Sequence, residues 1–365
     1  MRIVHVVNHT FMYNGNVHAA IDLACAQADL GDEVVVCSRG GSFDDLLIAK
    51  GVEIQVWPEL SDNAGTLRFV LRMRRLLRER RIDIVHAHMM KSATLSWAAS
   101  RLTPTRLVTT VHNAFERSAI LMGLGDRVIA VSQAVARAMG QRGVPAGRLR
   151  TVLNGTIGSA RYAAPPSEPE TLQHPAVLYL GGLHPRKGIA DLLQGMAQAR
   201  LSRPDLHLYL VGEGPCEDEY RAMVAPADAE NIHFCGARSD PRPFMRGADV
   251  FVLASHADPA PLVLSEAREA GLAIIATDVD GVPELLDGGQ AGLLIAPRAP
   301  DQIAETLLTV LAHEASLQAY RERSQRNIGH LSLERVARET RVIYEELLPR
   351  RTALGGGQQA FQGQP

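Results

Sequence analysis

The sequence predicts two successive α/β domains, each a mostly parallel sheet with helices on its faces. Three observations carry this. Short apolar runs alternate with longer helix-period stretches through the first half; a Pro-, Ala- and Glu-rich stretch, 163–175, interrupts the pattern; the alternation then restarts. A chain of 365 residues is long enough for two domains that each bury a core.

Taken in order, the first half gives candidate strands at 2–7, 33–37, 53–57, 83–87, 106–111 and 127–131. These are brief, nearly continuous apolar runs, as parallel strands buried on both faces require. Helical periodicity occupies 16–30, 66–80, 91–101 and 133–141, with Gly31 and Gly143 as stop signals after two of them. The opening MRIVHVVNHT, its apolar run broken by His5 and Asn8, reads as the first strand and not as a signal peptide. The second half gives strands near 176–181, 207–211, 231–234, 249–252, 273–276 and 292–295, with helices between them. Both halves therefore read as doubly wound, Rossmann-like domains, 1–165 and 166–330. An amphipathic helix at 331–348 could pack on either one. The Gly- and Gln-rich tail, 349–365, is expected to be disordered, having too few apolar residues to offset the entropy of ordering it.

Composition excludes several classes. A formal charge of -2 leaves no global basic field of the kind that accompanies nonspecific nucleic-acid binding, so an anionic ligand must be met locally. Cys25, Cys37, Cys216 and Cys235 lie far apart without a C-x-x-C pair, which fits a reducing cytoplasm better than a disulfide or zinc framework. No apolar run approaches the roughly 20 residues needed to span a bilayer, so contact with a membrane would be peripheral.

In open α/β sheets ligands bind beyond the carboxyl ends of the strands, which directs attention to the strand-to-helix turns. YLGGLHPRKGIADLL places Gly181, Gly182, Arg186 and Lys187 between a strand and a helix, where cations and flexible backbone can meet a diphosphate; a solvated turn is the alternative. LVGEGP brings Gly212 to a second such turn. The segment from Phe251 to Pro283 carries two carboxylates, Asp258 in a Pro-rich loop and Glu266 about one turn into the next helix. Both can face a ligand at the helix N-terminus, one gripping sugar hydroxyls and the other ribose hydroxyls. The backbone N–H groups of Leu262, Val263 and Leu264 would face phosphate oxygens there. A pair of surface charges is the competing explanation.

With these residues in view, the chain to about residue 348 resembles the family 4 glycosyltransferases of the two-domain GT-B fold. The resemblance rests on an ordered set of segments: NGNVHAAIDLA with Gly15, IVHAHMMKS, TTVHN, VIAVSQAV, TVLNGT, GGLHPRKG, LVGEGP and the Asp258–Glu266 segment. It implies retaining transfer of a hexosyl or N-acetylhexosaminyl group from a nucleotide-diphosphate sugar, with UDP favoured. The acceptor would be a hydroxyl of a saccharide, a lipid-linked saccharide or a small molecule. Transfer would be by same-face attack, without a metal or other cofactor. Glu266 matches the second position of the family's Glu-x7-Glu motif and implies a ribose contact. Asp258 stands where the first Glu is usual, keeping the charge on a shorter arm. Lys187 matches the phosphate-binding lysine, whereas Gly182 replaces the usual Arg, whose charge Arg186 would supply from four residues on. Gly15 matches a first-domain turn that approaches the phosphates. His112 matches the histidine that faces the reacting sugar, and His88 and Asn113 are candidate acceptor contacts.

Three further features have competing readings. Asp278-x-Asp280 looks like a metal signature, but the resemblance places it in a turn usually written Asp-x-Gly-Gly, so no metal is expected there. His86-x-His88 offers two imidazoles on one strand face with no third ligand identified. The basic amphipathic stretch 68–81 is either the outer face of an ordinary helix or a surface that rests on anionic lipid at the inner face of the cell membrane. Two other functions share the expected fold: a nucleotide-sugar 2-epimerase, and a nucleotide-sugar-binding protein without turnover.

Overall fold

Thirteen parallel strands form two sheets in the structure, a computed structural model that describes residues 1–12, 14–60, 65–165 and 168–349. The first sheet contains β1 (Arg2–Val6), β2 (Glu33–Ser38), β3 (Glu53–Val56), β4 (Ile84–Ala87), β5 (Arg106–Val111), β6 (Arg127–Ala130) and β7 (Leu149–Thr151), in the order β3-β2-β1-β4-β5-β6-β7. The second contains β8 (Ala176–Leu180), β9 (His207–Val211), β10 (Ile232–Gly236), β11 (Val250–Leu253), β12 (Ala273–Thr277) and β13 (Leu293–Ile295), in the order β10-β9-β8-β11-β12-β13. This is the pair of doubly wound sheets that the alternation predicts. The expected tail falls, from residue 350 onward, outside the described residues.

The order reverses between β1 and β4 in the first sheet and between β8 and β11 in the second. At such a reversal neighbouring connections leave in opposite directions and open a crevice beyond the strand ends. His88 follows β4, Lys187 lies in the turn after β8, and Asp258 lies in the loop after β11. The topology alone thus brings separate sequence motifs to the strand ends of each sheet.

Period-2 alternation sorts the first sheet's side chains. Val4, Val6, Val85 and Ala87 enter one apolar cluster, while Ile3, Ile84, Val108, Ile129 and Val152 enter another on the opposite face. Ile343 and Tyr344 of the helix Leu333–Glu345 complete that second cluster, so the C-terminal helix returns to cover the first domain. Burying two such side chains is worth about 1.5–3 kcal/mol each. Ser332 caps this helix through Arg335 N, and Glu346 just beyond it pairs with both Arg127 and Arg150. The helices Asp44–Ala49, Pro300–Val310 and Glu314–Ser324 had no counterpart in the sequence reading, nor had β7, which is three residues long and pairs only with β6.

Candidate functional site

At the crevice of the second sheet, Lys187 ends a short 3-10 turn, Pro185–Lys187, followed by Gly188 at φ 67°. A Cβ at Gly188 would come within 1.9 Å of the Ala254 carbonyl, so the turn after β8 sits tightly against the loop after β11. That packing carries Lys187 Nζ to 2.5 Å from Asp258 Oδ2, which also accepts from Ser255 Oγ at 3.1 Å. The two residues singled out for opposite ends of a donor therefore form a half-buried ion pair with each other. Gly212, at φ 143°, lies so close to Gly181 that a Cβ would approach its carbonyl oxygen to 2.0 Å. Its glycine identity is explained by that approach alone. Arg186 is exposed; it donates to the Ala257 carbonyl and lies 5.0 Å from the ring of Phe115, a first-domain residue. It therefore sits at the boundary between the domains.

The helix Leu262–Glu269 begins after Pro261 with no side-chain cap. The first-turn N–H groups of Leu262 and Val263 have no acceptor within the helix. Leu264 departs from expectation, because its N–H donates to the Pro261 carbonyl at 3.2 Å and is unavailable to a phosphate. Glu266 is buried and turned toward the first domain: Oε1 lies 3.3 Å from Arg161 Nη2 and accepts from Tyr162 OH at 3.2 Å. Arg161 also makes a forked contact with Asp22, which is fully buried. Burial raises the Glu266 pKa above the usual carboxylate value, against the opposing pull of Arg161. Arg161, Tyr162 and Asp22 escaped sequence reasoning because no fixed spacing links them to Glu266.

A second contact joins the domains nearby. The Glu284 carboxylate accepts from Gln133 N at 2.8 Å and lies 3.4 Å from Ala134 N, so a second-domain side chain caps the first-domain helix Gln133–Gln141. Asn154 Nδ2 donates to the Ala260 carbonyl at 3.1 Å. Beside Glu284, a recess of about 610 Å³ is lined by Arg137, Asp278 and Asp280 among others. Its lining includes none of Lys187, Asp258 and Glu266. The clustering of opposite charges and the two strand-order reversals locate the ligand crevice better than the volume of this open recess. Asp280 holds a left-handed φ of 45°, where Gly is usual and Asp is tolerated. Burial raises its pKa.

On the first-domain side, Gly15 opens the helix Gly15–Asp29, and a Cβ there would meet nothing within 4 Å. His112 follows β5 with Asn113 half-buried beside it. His88 departs from its expected acceptor contact: it is buried beneath His112, with Nδ1 3.2 Å from His112 Nε2 and Nε2 2.9 Å from His5 Nδ1. Both its ring nitrogens are engaged by protein, so it supports His112 and does not reach an acceptor. His5 Nε2 in turn meets Gln27 Oε1 at 2.7 Å, and Gln27 Nε2 donates to Tyr344 OH at 3.2 Å. Tyr344 OH lies 2.6 Å from His86 Nδ1, whose Nε2 meets Thr110 Oγ1 at 2.6 Å.

His5 is the third imidazole that the His86-x-His88 pattern lacked. Among the described residues, His5, His86 and His88 are the single grouping of three metal-ligating side chains. Every ring nitrogen of the three already lies within hydrogen-bond distance of a protein atom, which argues for a hydrogen-bonded chain over a set of lone pairs converging on an ion. Burial lowers the pKa values of His5 and His112 to about 4 and holds His86 and His88 well below the usual value. The imidazoles are therefore neutral at pH 7.

Comparison with known proteins places this geometry in context. Residues 13–156 match the family described as Glycosyltransferase Family 4, and residues 174–313 match the one described as Glycosyl transferases group 1. The chain is 27% identical to a phosphatidyl-myo-inositol mannosyltransferase of Mycolicibacterium smegmatis, the match covering 94% of each protein. It is 26% identical to a glycogen synthase of Mycobacterium tuberculosis over 80% of this chain and 76% of that protein. Among solved structures, Anabaena HepE in complex with UDP and glucose superimposes with a TM-score of 0.78 at 21% identity, covering 94% of this chain and 99% of that one. WaaG, a glycosyltransferase involved in lipopolysaccharide biosynthesis, gives 0.72 at 18% identity over 94% and 99%.

Proposed function

The chain belongs to family 4 of the glycosyltransferases, with the GT-B fold, and from that premise we propose that it is a retaining hexosyl- or N-acetylhexosaminyltransferase whose donor is a UDP-sugar. The observation that supports the reading is the ion pair of Lys187 with Asp258, in the loop that leads to the uncapped helix start at Leu262, with Glu266 one turn into that helix and His112 just after β5 of the first sheet. Lys187 and the N–H groups of Leu262 and Val263 suit the charge that builds on a departing diphosphate. Arg186, at the domain boundary, adds a cation to the same end. Glu266 suits ribose hydroxyls, and Asp258 and His112 suit hydroxyls of the transferred sugar. In the proposed reaction the bond from the anomeric carbon to the phosphate oxygen breaks and the acceptor oxygen bonds to that carbon from the same face. The acceptor proton passes to the leaving phosphate. No metal takes part in this reading, so EDTA should leave the rate unchanged.

The acceptor side has one distinguishing surface. The helix Thr66–Glu79 buries Phe69, Met73 and Leu77 and exposes Leu67 and Leu71 among its arginines, which favours a glycolipid acceptor met at an anionic membrane surface. Arg74, Arg75, Arg78 and Arg80 are already tied to protein groups, so the attraction should be modest. No described helix is long and apolar enough to cross a membrane.

A thermal-shift panel of UDP, GDP, ADP and their sugar conjugates tests the donor class, because a ligand selective for the native state raises the apparent melting temperature. A shift for the UDP family that disappears in Glu266→Ala supports the reading; a shift for GDP or ADP alone replaces the base. Product NMR then separates retained transfer from inversion, and also from 2-epimerisation of the donor without an acceptor. Selective donor binding with no transfer to any acceptor and no epimerisation would leave a binding protein.

A further inference from the structure

The histidine chain beneath His112 can be followed proton by proton. A neutral imidazole has one N–H donor and one lone-pair acceptor, so fixing the role of one ring nitrogen fixes the other. Gln27 places its carbonyl oxygen 2.7 Å from His5 Nε2 and its amide nitrogen 3.2 Å from Tyr344 OH. His5 must then donate from Nε2 and accept at Nδ1, so His88 donates to it from Nε2. His88 accepts at Nδ1, and His112 donates to it from Nε2. The remaining nitrogen of His112, Nδ1, is bonded by no described residue and carries a lone pair. On the other branch Tyr344 accepts from Gln27 and donates to His86 Nδ1, leaving His86 Nε2–H to donate to Thr110 Oγ1. With the Gln27 amide placed this way, one assignment satisfies every group along both branches.

The reverse polarity is also self-consistent, but it requires the Gln27 amide to turn over, the hydroxyls of Tyr344 and Thr110 to rotate and the four ring protons of His5, His86, His88 and His112 to move together. We infer that Gln27, held by Tyr344 of the C-terminal helix, is a positioning residue that fixes His112 as the Nε2–H tautomer, so that His112 offers Nδ1 to the donor sugar as a hydrogen-bond acceptor. The neutrality on which the chain depends follows from burial: His5, His86 and His88 are at most 3% exposed and His112 is 9% exposed. The role toward the sugar rests on the proposed transferase reading, whereas the tautomer does not. The device explains why a glutamine lies buried in the apolar interface between the helix Gly15–Asp29 and the C-terminal helix, which no packing requirement demands.

Two-bond 1H–15N correlation spectra of deuterated protein carrying 15N-histidine test the tautomer without any donor, with the His112 signals assigned by their loss in His112→Gln. The wild type is expected to show Nε2 protonated and Nδ1 bare. Gln27→Glu, which keeps an acceptor toward His5, should hold that tautomer. Gln27→Leu should release it to an average of both tautomers, with kcat falling about tenfold, the worth of one ordinary hydrogen bond, and the donor KM staying within about twofold. Tyr344→Phe frees the amide to turn over at nearly constant volume and carries the same test if Gln27→Leu does not fold. A wild-type His112 protonated on Nδ1, or a tautomer unmoved in both Gln27→Leu and Tyr344→Phe, overturns the inference. Because the spectra need no turnover, a chain that transfers nothing sinks the functional reading while leaving the tautomer result to stand or fall on its own.

Discussion

Acidification from pH 7.5 to 5.5 should destabilise the first domain far more than its carboxylates alone can explain. His5 and His112 titrate near 4 in the folded chain, against 6.5 when free, and burial depresses His86 and His88 in the same direction. A depressed pKa means that the unfolded chain binds the proton first, so the stability is present above 6.5 and is lost as pH falls toward 4. Between pH 7.5 and 5.5 each such histidine withdraws about 1.4 kcal/mol, and the four together withdraw up to about 5–6 kcal/mol. That is comparable to the whole stability of many domains, about 5–15 kcal/mol. Carboxylates of ordinary pKa stay ionised across this window, and Glu346, held at about 2 by Arg150 and Arg127, loses its contribution only below it. Glu266 and Asp280 are shifted upward and work in the opposite sense, gaining stability as pH falls, but Asp280 belongs to the second domain and Glu266 to its interface. Both tryptophans, Trp57 and Trp97, lie in the first domain, so intrinsic fluorescence isolates the event. With a slope of about 2 kcal/mol per M, the urea midpoint should drop by about 2 M or more. A midpoint at pH 5.5 within about 0.5 M of that at pH 7.5 would refute the argument.

Four substitutions probe the interface and the donor side. Arg161→Met leaves Asp22 and Glu266 buried without their counter-charge, which should cost about 3–5 kcal/mol; calorimetry showing a loss under about 2 °C would contradict this. Glu284→Gln removes the charged cap that one domain places on a helix of the other, worth about 1–2 kcal/mol, and small-angle scattering should show a more open donor-free chain. An unchanged radius of gyration would count against that clasp. Asp280→Gly relieves a left-handed conformation and should raise the melting temperature, by up to about 1 kcal/mol of stability, so a lower one would show that the carboxylate contributes more than the backbone strain costs. Asp258→Asn frees Lys187 from its ion pair and should tighten UDP binding severalfold by titration calorimetry while slowing sugar transfer; weaker UDP binding would mean that the pair organises the site.

Much of the fold was legible because parallel strands buried on both faces are written as apolar runs, and the glycines after them mark the turns. β7 was not legible, since Leu149–Thr151 carries one apolar residue and exists through its pairing with β6. The docking of the C-terminal helix was equally hidden. Its apolar stripe shows that it covers something, but the choice of the first sheet depends on Ile3, Ile84, Val108, Ile129 and Val152 lining one face, which only the three-dimensional register assembles. The donor-side candidates stood out by their motifs, while Arg161, Gln27 and Tyr344 did not, because their partners lie up to 317 residues away. His5 did leave a trace: a histidine interrupting the apolar first strand is expensive to bury unless both ring nitrogens find partners.

The charges proposed to meet the donor are already satisfied within this structure. Lys187 is held by Asp258, and Glu266 by Arg161 and Tyr162. A donor must therefore exchange partners and does not simply fill a set of waiting charges. Its phosphates would take Lys187 from Asp258, freeing that carboxylate for sugar hydroxyls, and its ribose would share Glu266 with a guanidinium rooted in the segment between the domains. The first exchange would release a carboxylate suited to sugar hydroxyls, so a bare diphosphate would leave Asp258 held by Ser255 Oγ alone and repelled. The second links ribose recognition to the contact that holds the two domains together. On the proposed reading, the internal pairing would let the site prefer the whole donor over its nucleotide product and so favour release once the sugar has left.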